Sequence, residues 1–131
     1  MEIQQLDDKD VPAFQTGDDW SIESVFSAGD SYLFFLTLDI PHEETLKIIL
    51  FDRGGSQLES VELSAAYTPG LFKFNKSDSN KIYFDFWPDA ELILELKDKP
   101  VYPWQAIKIS NATHSGSFFK KRRLVLGYTK G

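Results

Sequence analysis

The segment from Asn80 to Lys97 constrains the fold of this chain more than any other. Ile82, Phe84 and Phe86 alternate with Tyr83, Asp85 and Trp87. Trp87-Pro88-Asp89-Ala90 turns the chain, and Leu92, Leu94 and Leu96 then alternate with Glu91, Ile93, Glu95 and Lys97. Successive side chains of a strand point to opposite faces, so this period of two reads as a β-hairpin.

The same period recurs along the chain. Trp20–Ser27 alternates loosely and ends at Ala28-Gly29-Asp30. Ser31–Leu38 is nearly all apolar, as suits a central strand covered on both faces. Leu46, Ile48 and Leu50 alternate with Lys47, Ile49 and Phe51, and Asp52-Arg53-Gly54-Gly55 is a strong turn signal. Leu58–Ser64 places Val61 and Leu63 inward. Thr68-Pro69-Gly70 turns again before a short strand over Leu71–Phe74 and a polar loop over Lys76–Asn80. Asp98–Pro103 reads as a Pro-stiffened extended connection. Trp104–Ile109 and Ser117–Tyr128 read as the last two strands.

No segment of ten or more residues carries helical periodicity. These signals predict an all-β fold, an antiparallel β-sandwich of eight or nine strands, with a closed β-barrel as the second choice. At 131 residues the chain has the length of one domain and enough core to fold without disulfide or metal staples. Residues 1–19 read as an acidic N-terminal arm, with room for one short edge strand, and residues 20–131 as the sandwich.

One feature breaks the simple pattern. The outer face of a sandwich sheet meets water, yet Ile49, Phe51, Tyr83, Trp87 and Ile93 occupy second-face positions. Apolar residues gathered on such a face mark a contact surface. Ile49, Phe51, Tyr83 and Ile93 are therefore the expected interface, either with a protein partner or in a homodimer. The competing expectation is that the arm folds over the same patch.

Charge adds a second asymmetry. Residues 1–30 carry eight acids against Lys9 alone, and residues 120–131 carry five bases and no acid, on a chain of net charge −6. Lys120, Lys121, Arg122 and Arg123 follow Phe118 and Phe119 and form the one basic patch. Basic residues beside aromatics suit phosphates and bases. The negative chain as a whole repels a polyanion, so nucleic acid is disfavoured as a partner.

For small ligands, Tyr102 and Trp104 between Pro100 and Pro103, together with Trp87, form a candidate platform on which a carbohydrate ring could stack. Large aromatics serve protein interfaces equally well. Asp85, Asp89 and Glu91 flank the hairpin turn, but acids at alternate strand positions are also what a solvated sheet face looks like. His42 and His114 are the only histidines, cysteine is absent, and no phosphate loop or nucleophile elbow occurs. The expectations are no catalytic residue, no metal ligand set and no cofactor. No apolar run has the length of a membrane helix and the first residues carry no cationic leader, so a cytoplasmic location with no membrane partner is expected. The sequence thus points to a non-enzymatic binding module acting through protein contact, with carbohydrate binding as the alternative.

Overall fold

The computed structural model describes residues 2–40, 43–66, 71–88, 90–106, 112–114 and 121–129. Of these, residues 39, 40, 43, 65, 66, 103, 104 and 112–114 are described by backbone alone. In chain order the elements are β1 (Ile3–Gln5), a 3-10 turn (Asp8–Asp10), β2 (Ser21–Ala28), β3 (Ser31–Ile40), β4 (Glu43–Asp52), β5 (Gln57–Ala66), β6 (Lys73–Asp78), β7 (Lys81–Asp85), β8 (Glu91–Val101), the helical turn α1 (Pro103–Ala106), β9 (Ala112–His114) and β10 (Arg122–Tyr128). They form two antiparallel sheets, ordered β1-β2-β3-β4-β5-β9 and β10-β8-β7-β6. The fold is the expected sandwich, not a closed barrel.

Strand parity decides which residues meet between the sheets. Leu33 and Phe35 of β3, Leu46, Ile48 and Leu50 of β4, Ile82 and Phe84 of β7, and Leu92, Leu94 and Leu96 of β8 all face inward into one buried cluster. Phe35 lies edge-on to Phe84 with ring centroids 5.4 Å apart, so the two sheets contact through aromatic side chains.

The other face of the six-stranded sheet is buried as well. Val25, Phe34, Leu36, Ile49 and Phe51 form a second cluster, and Leu6, Val11 and Phe14 of the N-terminal arm, with Trp20 just after it, pack on it. The arm is held by the β1–β2 ladder, by the Leu6 amide donating to the Val25 carbonyl (2.8 Å), and by Phe14 among the rings of Tyr32, Phe34 and Phe51. Ile49 and Phe51 are therefore only 2% and 1% exposed. They offer no surface to a partner, and the expectation of an open patch there is corrected by the arm that covers it.

Three local readings also change. The polar stretch 76–80 is mostly strand: β6 continues to Asp78 and turns at Ser79, whose φ is 56°. β6 is a sheet edge, where lysines and polar residues are compatible with a strand, and a bulge between Phe74 and Lys76 disrupts its alternation. Asp98–Val101 extends β8, with Pro100 inside the irregular stretch between the Val101–Arg122 and Leu96–Leu124 pairs, where no ladder donor is required. Pro103–Ala106 is helical where a strand is expected. Pro103 suits the first helical position, and the Gln105 side-chain oxygen accepts the Tyr102 amide at 3.2 Å, as in a capping box. Residues 107–111 and 115–120 lie outside the described residues.

Candidate functional site

The end of the sandwich where Leu71 and Phe72 ahead of β6, Phe86–Pro88 after β7 and the start of β4 come together carries two adjacent clefts. The Leu71 amide donates to the Phe86 carbonyl at 2.9 Å and ties the Leu71 backbone to that of Phe86. The Leu71 side chain nevertheless projects into solvent at 78% exposure, the highest of the described large apolar residues. On one side lies a cleft of about 500 Å³ walled by Leu71, Phe86, Trp87 and Pro88, with Lys73, Asp85 and Glu91 among its polar groups. On the other lies a cleft of about 230 Å³ that shares Leu71 and Phe86 and adds Phe72, Glu23, Thr37 and Glu44.

Each cleft contains acids held in place by a neutral donor. Asp85 and Glu91 stand directly opposite each other on β7 and β8, a placement that repels when nothing intervenes. The Asn75 amide donates to both, at 3.1 Å to Asp85 and 2.8 Å to Glu91. The β6 bulge next to Asn75 accompanies this placement, adding a residue to the edge strand. In the second cleft the Thr37 hydroxyl donates to Glu23 at 2.6 Å. Trp87 is half-buried, and its indole N–H donates to the Ser64 carbonyl at 3.0 Å, which sets the ring plane in the cleft wall.

Trp87 does not join Tyr102 in the expected aromatic platform. Trp87 lies before β8 and Tyr102 after it. Eleven residues of strand separate them by about 35 Å, so they sit at opposite ends of the sandwich. Tyr102 is exposed and carries the Lys121 ammonium 4.9 Å from its ring centroid. The Trp104 side chain lies outside the described residues.

Tyr83 and Ile93 are neighbours across β7 and β8 on the outer face of the four-stranded sheet, on the opposite side of the molecule from Ile49 and Phe51. Both are half-buried, and Lys76 lies 4.7 Å over the Tyr83 ring. The four expected interface residues therefore do not form one patch.

The basic run is likewise divided. Lys121 is exposed, Arg122 is 2% exposed, and Arg123 donates from Nε to the Lys97 carbonyl at 2.9 Å. Lys120 and His42, and the side chain of His114, lie outside the described residues. Among the described residues, no three of His, Asp and Glu converge to hold a metal ion, and no helix is long and apolar enough to cross a membrane.

Sequence reasoning assigns Leu71 only to a short strand and Asn75 to no role. A leucine directly after Thr-Pro-Gly is the one available signal for the exposed apolar position. Comparison with protein-family models, curated proteins and solved structures yields no match.

Proposed function

We propose that this chain is a non-enzymatic binding module that acts through protein contact at the Leu71 end of the sandwich. The observation that carries this reading is the exposed leucine held by its own backbone between two clefts. Burying a leucine is worth about 1.5–3 kcal/mol. A residue whose backbone is already held loses less further entropy on contact, so more of that gain reaches affinity. The acids support a partner of complementary charge. Glu23, Glu44, Asp85 and Glu91 line the clefts against Lys73, and complementary charge sets specificity and association rate more than affinity. The partner that fits is a segment with an aliphatic or aromatic side chain beside Lys or Arg.

Selection of a random displayed peptide library on the intact protein tests this. Enrichment of basic and apolar residues, lost when Leu71→Ser replaces the wild type, supports the reading. Enrichment that survives L71S, or an acidic consensus, overturns it.

Trp87 in the wall of the larger cleft, beside two carboxylates and an amide, supports carbohydrate as the second reading. A glycan array on which binding disappears with Asp85→Asn and persists with L71S would favour sugar over protein. Self-association belongs to the protein reading, and with Ile49 and Phe51 covered it would use either the Leu71 end or the Tyr83–Ile93 face. Sedimentation velocity of wild type and L71S separates these routes.

A further inference from the structure

We propose that the corner where β8 ends and β10 begins is an oxyanion site built on Arg122, taking inorganic phosphate. Arg122 is 2% exposed, and its Nε, Nη1 and Nη2 have no hydrogen-bond partner among the described residues. A guanidinium stays charged under all ordinary conditions, and a buried charge without a counter-ion is strongly unfavourable. The fold therefore implies a negative group at this corner.

Among the described residues, no carboxylate hydrogen-bonds to or pairs with the Arg122 guanidinium. Glu59, the buried carboxylate that reaches β10 from the facing sheet, has both oxygens engaged. Oε2 accepts the Arg123 amide at 2.8 Å and Oε1 the Leu124 amide at 3.3 Å. Residues 107–120, which precede Arg122 in the chain, contain no Asp or Glu.

Charge selects the class of ion. Lys121, Arg122 and Arg123 at the start of β10 and Lys99 near the end of β8 stand against Glu59 and Asp98, and the Lys97 ammonium is paired with Glu95 at 3.5 Å. The surplus of positive charge matches a phosphate, which carries more than one negative charge near neutral pH, better than a single carboxylate. The planar guanidinium fork accepts two phosphate oxygens side by side. Burial of Arg122 favours a bare ion over a phosphate carried on a bulky molecule, and it couples uptake to folding, so that stability reports occupancy.

The test is thermal unfolding of the full chain in phosphate, in O-phosphoserine and in chloride at equal ionic strength, for wild type, Arg122→Met and Arg122→Lys. Phosphate stabilises folded proteins in general by exclusion from their surface, so the difference between chains is the informative quantity. The expected result is a wild-type rise of about 5 °C once phosphate exceeds its dissociation constant tenfold. The rise should be absent in R122M, reduced in R122K and smaller with O-phosphoserine. An O-phosphoserine response equal to or above that of phosphate overturns the bare-ion assignment. An equal phosphate response in wild type and R122M, or no response in wild type, overturns the site. If R122M does not fold, the wild-type Arg122 Nε–H resonance decides: it shifts on phosphate addition if the site is real, and a stationary resonance refutes it.

Discussion

Replacing Gly55 by alanine tests whether the N-terminal arm is seated as a built part of the fold. A Cβ at Gly55 would lie 2.8 Å from Phe14 Cδ1 and 3.0 Å from Cε1, and the backbone there has φ +92°. Two costs follow. The left-handed backbone costs an L-residue about 1–3 kcal/mol whatever surrounds it. The ring must also move, and it has little room to do so, because its centroid lies 5.6, 5.8 and 5.2 Å from those of Tyr32, Phe34 and Phe51. Phe14→Ala alone forfeits a half-buried ring and three aromatic contacts, a loss of about 2–3 kcal/mol on the scale of buried Phe→Ala changes. In the double variant the clash is gone and only the backbone cost of G55A remains. Urea unfolding of wild type, both single variants and the pair should therefore give a sum of single costs exceeding the double cost by about 1 kcal/mol. If G55A costs the same in the wild-type background as in the F14A background, within about 0.5 kcal/mol, the ring is not seated against Gly55 and the account of the arm fails.

A chain starting at Asp19 should associate in light scattering while the full chain does not associate through that face, because truncation uncovers Ile49, Phe51 and Phe34. Equal masses for both chains would mean that the arm is not the cover. Glu59→Gln should lower stability by about 1.5–3 kcal/mol in chemical denaturation, since it removes the charge from both acceptors that tie β5 to the Arg123 and Leu124 amides. An effect below about 0.5 kcal/mol would show that the inter-sheet hydrogen bonds do not depend on the carboxylate charge.

Local alternation is a property of covalent geometry. Once 80–97 is extended, Ile82, Phe84, Leu92, Leu94 and Leu96 must share one face of their strands and Tyr83, Ile93 and Glu95 the other. The hairpin, the two-faced burial of β3 and the sandwich class were therefore legible from the chain alone. Where alternation is disrupted, legibility ended: the β6 bulge hid a strand in 76–78, and the proline and glutamine of Tyr102-Pro103-Trp104-Gln105 are capping signals that a search for strands passes over.

Parity states which residues share a side and is silent on what that side will meet. That Ile49 and Phe51 meet Phe14 depends on an arm whose apolar residues, Leu6, Val11 and Phe14, show no periodicity and find their partners only after distant strands have paired. That Arg122 faces the interior while Arg123 reaches the Lys97 carbonyl depends on which face of β10 turned toward the six-stranded sheet. Trp87 and Tyr102, close in a list of aromatics, were carried to opposite ends by the length of β8, whereas Leu71 and Phe86 were joined by one backbone hydrogen bond between two loops. Period and composition act within a strand, so they determined the strands. Contacts between elements depend on how whole sheets stack and which loops converge, and these only the folded chain decides.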